Sequence, residues 1–388
     1  MSIIITLSLI IWIYLILFRG NFWLCNQYLE NLSLENQPQV TVIIPARNEA
    51  ESISICVESL FNQNYQGIFN IILVDDQSQD KTAEIAEKIA VKKGKENQLI
   101  IIKGENLPTG WSGKLWAMSQ GVAWAKQHLK NDYFLFTDGD IKHSTNNLNQ
   151  LLAKAEKNNL DLVSLMVKLR CESFWEKLLI PAFIFFFQKL YPFSLVNNPH
   201  EKIAAAAGGC ILIRESALTR IGGIESLKEA LIDDCTLASL VKKTLPINHG
   251  IWLGLSDTTT SLRSYHSLTP IWDMVARTAF TQLNYSLWLL IGTILGMFIT
   301  YFVPFFTLFF GLFTANLLLI LLSIITLFLM TLSYFPTVKF YQLPFFYSLI
   351  LPIIALLYSF MTIDSAVRYW QGKGGKWKGR VYQLGVKN

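Results

Sequence analysis

Charged side chains are missing from the first 18 residues, from some 50 residues between about 286 and 335, and from roughly 343–363. Such gaps exclude an ordinary soluble chain, because about 20 consecutive apolar residues cross a bilayer. They predict one N-terminal span, two spans within the long block and one near the end. A basic n-region and a small-x-small site before Arg19 are also missing. That argues against a cleaved signal peptide and for a retained anchor over residues 1–20. Cysteine is scarce and scattered: Cys25, Cys56, Cys171, Cys210 and Cys235 form no CxxC pair. Neither a disulfide framework nor a zinc site is indicated, and reduced thiols suit a cytosolic middle of the chain. No GxGxxG follows the first strand-like segment and no GxxxxGK(S/T) occurs anywhere, which disfavours dinucleotide and P-loop chemistry. Internal repeats and long low-complexity runs are absent as well.

What is present is 388 residues, 52% hydrophobic, with a net charge of +5. The tail GKGGKWKGRVYQLGVKN has five cations and no acid. Beside a membrane segment, such a tail marks the cytoplasmic face and anionic lipid rather than nucleic acid.

Residues 38–266 have ordinary globular composition and alternate regularly. QVTVIIP, NIILVDD, QLIIIK and DYFLFTD read as strands, and EAESISICVESLFNQ, DKTAEIAEKIAVKK and SGKLWAMSQGVAWAKQ as helices. Short apolar strands between amphipathic helices predict an α/β fold, a Rossmann-like parallel sheet covered on both faces. Ligands then bind at the carboxyl ends of the strands. Polar residues collect at those ends: Pro45, Arg47, Asn48 and Glu49 after the first strand, Asp75 and Asp76 after the second, Asp138 and Asp140 after the fourth. Single acids after strands are usually helix caps, and Asp80 and Ser78 read that way. Three acidic strand ends in one crevice suggest more.

Asp138 and Asp140, in TDGD, either splay into water or hold a cation. In this setting the second reading is favoured, with Mg²⁺ or Mn²⁺ taking carboxylate, water and phosphate oxygens. A pair of acids without a cation is expected to be uncomfortable. Asp233 and Asp234, in IDD, open a helix after a GG-containing loop. They serve either as dipole-favoured caps or as a general base whose pKa is raised by its neighbour. GWSGK brings Lys114 to a helix start, well placed to meet phosphate.

The ordered set VIIPARNE, VDDQSQDKT, GWSGKLWA, TDGD, GGC and IDD resembles family 2 glycosyltransferases, inverting enzymes with a GT-A nucleotide-sugar-binding fold. GWSGKLWAMSQG, AAAAGGCILIRESAL, IDDCTLA, YHSLTPIWDMVARTAFTQL and KWKGRVY bring it nearest the hopene-associated glycosyltransferases, over almost the whole chain. The resemblance implies that Asp76 binds the nucleotide base, and that Pro45, Arg47, Glu49 and Lys114 line the donor. Asp138 and Asp140 correspond to the DxD motif, with Asp140 the direct metal ligand. Asp234 corresponds to the catalytic base, and Asp233, Gly208, Gly209 and Arg277 to diphosphate or acceptor contacts. The reaction implied is transfer from a UDP- or GDP-sugar to a membrane lipid, in hopanoid or other glycolipid synthesis. QxxRW, carried by processive members, is absent. Arg277 in ARTAF lacks its glutamine and tryptophan, and it either pairs with diphosphate or snorkels to headgroups. Transfer to a polyprenyl phosphate, polysaccharide synthesis and a non-catalytic nucleotide-sugar-binding subunit are the competing readings.

Residues 178–196 are apolar, but a single crossing there would separate Asp140 from Asp234, and Pro181, Gln188, Lys189 and Pro192 interrupt the run. The expectation is an interfacial helix, with a buried core helix as the alternative and a second interfacial helix over 267–285. Spans then fill 286–365 and the basic tail 366–388. With the catalytic domain cytoplasmic in this multi-pass protein, three later spans put the tail outside, against the positive-inside rule.

Overall fold

The computed structural model describes residues 1–373, 376–377 and 380–381. Lys378, Gly379 and Tyr382 of the KWKGRVY motif, and residues 374–375 and 383–388 of the basic tail, lie outside the described residues. Among the described residues the chain divides into two units, one of residues 1–26, 171–194 and 265–373, the other built on 27–170 and 195–264.

The second unit is built on an eight-stranded mixed sheet. Its strands are β1 (Val40–Ala46), β2 (Phe69–Asp75), β3 (Leu99–Lys103), β4 (Tyr133–Thr137), β5 (Ile141–Lys142), β6 (Leu160–Lys168), β7 (Cys210–Arg214) and β8 (Gly250–Ser261), in the order β3-β2-β1-β4-β7-β6-β8-β5. The four strands expected from the alternation form a parallel half, β3-β2-β1-β4. Helices Ile53–Phe61, Thr82–Lys93 and Gly113–His128 connect them. β7 then runs antiparallel to both β4 and β6. Composition alone does not indicate this reversal, since β7 is as apolar as its neighbours.

Every residue of β1 is buried, as befits a strand covered on both faces. Each fully buried Val or Ile there contributes about 1.5–3 kcal/mol. Helix Gly113–His128 lies close on β1 and β2 because of Gly121. A methyl group there would come within 2.9 Å of Ile43 and 3.1 Å of Val74. This contact sets how close the helix carrying Lys114 lies to the sheet. Asp80 behaves as a cap, its Oδ1 accepting from the Thr82 N–H at 3.1 Å, although helix Thr82–Lys93 has Lys81 at its boundary.

The other unit is helical. Three of its helical segments are long and apolar enough to cross a membrane: Leu287–Phe313, Leu317–Phe340 and Leu351–Trp370. The first contains a π-turn over Phe298–Phe302. Helix Ser2–Phe18 is apolar but only 17 residues long, about 26 Å at 1.5 Å per residue, a little short of a hydrocarbon core of about 30 Å. The segment expected as one interfacial helix over 178–196 is instead helix Phe174–Leu190 followed by a short turn, Phe193–Val196. A capping box of Ser173 and Glu176 starts the longer helix, and Leu179, Ile180, Ala182, Ile184 and Phe185 are buried. Over 267–285 the structure has helix Leu268–Ala276 and a 3₁₀ turn, Thr281–Leu283. Trp272 donates to Asp364 at 2.7 Å and Asp273 pairs with Arg368 at 2.6 Å.

Candidate active site

Parallel pairing sets the ends of β1 and β2 level, Ala46 opposite Asp75. The antiparallel start of β7 places Cys210 opposite Thr137, the last residue of β4. Gly208 and Gly209 therefore arrive at the same sheet edge as Asp138.

At the end of β1, Arg47 donates to the carbonyl oxygens of Asp76 and Gln77. Its guanidinium lies 3.8 Å from the buried Asp76 carboxylate. Pro45 is buried within β1. Glu49 donates its N–H to Thr82 Oγ1 at 2.9 Å and accepts from Ser52 at 3.1 Å. Gly139, between the two acids of TDGD, lies against it: a methyl group there would stand 3.2 Å from Glu49 Cγ.

Lys114 is the cation at the centre. It opens helix Gly113–His128, whose cap Ser112 accepts from the Leu115 N–H at 3.2 Å. Its ammonium lies 2.7 Å from Asp138 Oδ1 and 4.0 Å from Asp233 Oδ2. Burial works against the charge, but Asp138, Asp233 and Asp234 outweigh it and hold the ammonium above its ordinary range. The expected discomfort of an acid pair without a metal is thus relieved in part from within the protein.

Asp233 and Asp234 begin helix Asp233–Lys243. Asp234 accepts from the Gly208 N–H at 2.9 Å and from its neighbour Cys235 N–H at 2.7 Å. Burial, then the charge of Asp233, push its carboxyl up to about 6, against the opposing pull of Lys114 and the two N–H groups. A carboxylate fixed in orientation and raised toward neutrality has the properties of a general base. Lys114, Gly208, Asp233 and Asp234 line one cleft, floored by Met118 and Leu237.

Asp138 and Asp140 offer hard oxygen donors of the kind Mg²⁺ and Mn²⁺ take. Among the described residues no group of three or more His, Cys, Asp or Glu forms a metal cage. A pair of carboxylates fits a cation that completes its shell with phosphate oxygens and water. The Asp140 carbonyl oxygen also accepts from the Leu262 N–H at 2.8 Å, just beyond β8.

Sequence reasoning passed over a support for these groups. Thr137 donates to the Gly209 carbonyl at 2.8 Å and lies 2.9 Å from Nε2 of buried His143, whose Nδ1 is 3.0 Å from Asn147 Nδ2. With the Thr137 proton committed, Nε2 carries the imidazole hydrogen and Nδ1 accepts. The signal was slight: a histidine three residues after TDGD. Arg277 lies in the helical unit, at the C-cap of helix Leu268–Ala276.

Residues 41–222 match the family model described as glycosyl transferase family 2. This supports a family 2 glycosyltransferase domain in that segment. The uncharacterized glycosyltransferase EpsJ of Bacillus subtilis is 32% identical over 126 residues, 32% of this chain and 33% of that protein. The 4,4'-diaponeurosporenoate glycosyltransferase of Staphylococcus haemolyticus is 31% identical over 108 residues, 28% of this chain and 26% of that protein. The chain spans less than half the length of these relatives. Among solved structures, the mannosyltransferase PcManGT from Pyrobaculum calidifontis, in complex with GDP-Man and Mn²⁺, aligns with a TM-score of 0.57 at 14% identity. The alignment covers 95% of this chain and 98% of that one. Likeness at this identity concerns the fold: a Rossmann-like GT-A domain followed by three apolar helices that could span a membrane.

Proposed function

We propose that the chain is a membrane-bound, inverting glycosyltransferase that moves a sugar from a nucleotide-sugar donor to a lipid acceptor. The observation that carries this is Asp234, a half-buried carboxylate gripped by two N–H groups and raised to about 6 beside the Lys114 ammonium. A protein that only bound nucleotide would have no use for such a base. GDP-Man and Mn²⁺ in the PcManGT complex support a nucleotide-sugar donor with a divalent cation. A relative named as a 4,4'-diaponeurosporenoate glycosyltransferase, together with three apolar helices, supports a lipid acceptor on a multi-pass protein.

In this reading residues 38–266 form the catalytic domain on the cytoplasmic side, between an N-terminal anchor over 1–20 and spans within 286–365. Asp76, with Pro45, Arg47 and Glu49, holds the nucleoside. Asp138 and Asp140 hold Mg²⁺ or Mn²⁺, which when bound supplies positive charge at the diphosphate. Lys114 neutralises the departing diphosphate, aided by the backbone of Gly208 and Gly209. Asp234 takes the proton of an acceptor hydroxyl, whose oxygen then attacks the anomeric carbon in line with the leaving group. Asp233 keeps Asp234 basic. A hopanoid or related glycolipid fits as product.

The test is nucleoside diphosphate release by detergent-purified protein from a panel of UDP- and GDP-sugars. It is run with Mn²⁺ or EDTA and a membrane lipid extract. Release from one donor, with label in a lipid, is expected. Asp234→Asn should lower turnover by about 10²–10⁴-fold while donor binding survives. Unchanged turnover in that variant would remove Asp234 as the base.

A further inference from the structure

The cation that Asp138 requires is already present as Lys114. We propose that Lys114 is a built-in competitor for the divalent ion at the Asp138–Asp140 pair, so that the ion binds tightly only together with a diphosphate. The proposal rests on the glycosyltransferase reading above. Lys114 Nζ contacts Asp138 Oδ1 at 2.7 Å and reaches Asp233 at 4.0 Å. Its side chain is 17% exposed and that of Asp138 37%, so water screens the pair only in part. The ammonium is also confined: a methyl group on Gly208 would lie 3.1 Å from it and 3.4 Å from Asp234 Oδ2.

A divalent ion approaching Asp138 alone meets a positive charge on the same carboxylate, and the two cations repel. A diphosphate changes the balance, because its oxygens give Lys114 a second partner and release Asp138. The ion and the diphosphate therefore favour each other, and by linkage each tightens the other by the same factor. Without Lys114 three neighbouring acids lose their common cation. The free ion should then bind more tightly, while the diphosphate adds less.

The experiment is Mn²⁺ binding to the full chain in detergent, read from the free-ion paramagnetic resonance signal, with and without UDP or GDP. For the natural protein the nucleotide should tighten Mn²⁺ by about tenfold or more, the scale expected for one unit charge at these distances. In Lys114→Met, Mn²⁺ alone should bind about tenfold tighter or more, with little added by nucleotide. Lys114→Arg should restore the natural pattern. Lys126→Met, on the same helix in a 3.1 Å pair with Glu215, should leave it unchanged and so exclude a general charge effect. If Lys114→Met retains the natural Mn²⁺ affinity, the competitor role is overturned while the glycosyltransferase reading stands. Mn²⁺ binding to the natural protein equally well without nucleotide overturns it too, with no variant needed. If neither protein binds Mn²⁺ in any mixture, the metal assignment itself falls and takes this proposal with it.

Discussion

The Gly208 N–H and the Asp234 carboxylate meet at 2.9 Å, across 26 residues of chain. Gly208 belongs to the turn entering β7, and Asp234 to the first turn of helix Asp233–Lys243. Their bond ties the strand that pairs with β4 to the helix carrying the candidate base. Through β4 it also fixes Asp234 relative to Asp138, since Thr137 is opposite Cys210. A main-chain N–H thus holds the Asp234 carboxylate in place relative to the end of β4.

This arrangement makes the pH dependence specific. Asp234 is pushed up to about 6 by burial and then by Asp233, and a base works only when deprotonated. Activity should rise through about pH 6 and level off above it. Replacing Asp233 with Asn removes the second cause, so the inflection should move to lower pH. A pH–rate profile of kcat/KM for both proteins checks this. An inflection that stays in place would dissociate the two acids.

Gly208 is a close-approach position. In Gly208→Ala the new methyl group would stand 3.1 Å from Lys114 Nζ and 3.4 Å from Asp234 Oδ2. The ammonium must then shift by a few tenths of an ångström, loosening its pair with Asp138. Turnover should fall about tenfold or more, since about 1.4 kcal/mol of lost transition-state stabilisation is tenfold in rate. Thermal stability should hardly change, because nothing in the sheet moves. Measuring kcat and Tm on one preparation separates the two effects.

How far the sequence carried the site follows from the range of the contacts involved. β1, β2 and β4, with their polar ends, were legible because strand–helix alternation is a local pattern. The helix start at Asp233 was legible for the same reason. The pairing of Lys114 with Asp138 was not, since it joins a helix start to a strand end 24 positions on and depends on how closely Gly121 lets that helix approach the sheet. The His143–Thr137–Gly209 chain was also hidden, because β7 enters beside β4 only through tertiary pairing. Segment 178–196 was ambiguous for a different reason: apolar composition alone cannot distinguish a helix facing lipid from one packed among others. Burial of Leu179, Ile180, Ala182 and Phe185 shows that one face of this helix is packed against protein.

Asp161 offers a contrast, a buried acid with a structural task. It is 1% exposed, accepts from Arg220 Nη2, lies 2.7 Å from His249 Nδ1 and 3.9 Å from Arg214 Nε. Removing the carboxylate leaves two guanidinium groups without their shared anion. Asp161→Ala should cost about 3–5 kcal/mol, seen as a Tm several degrees lower in detergent. Activity per folded molecule, assayed well below the transition, should match the natural protein. A variant that is stable but inactive would instead place Asp161 in the chemistry.

His143 links stability to pH. Burial holds its imidazole neutral and lowers its pKa to about 4, whereas in the unfolded chain it titrates near 6.5. Because the folded value is depressed, its contribution is fully present above about pH 6.5 and is lost as pH falls toward about 4. The whole effect is about 3 kcal/mol, from about 1.4 kcal/mol per pKa unit. The physical cause is visible in the bonding: Nδ1 faces the Asn147 amide at 3.0 Å, and a proton there would set two donors against each other. His143→Gln cannot charge, so its Tm should fall less steeply between pH 6.5 and 5 than that of the natural protein. Above pH 7 the two curves should run parallel, with Gln lower if it recovers only part of the bonding to Thr137 and Asn147. Equal slopes across the acidic range would mean that His143 stays reachable by protons, and that the support it gives to Gly209 is looser than a 2.9 Å contact with Thr137 implies.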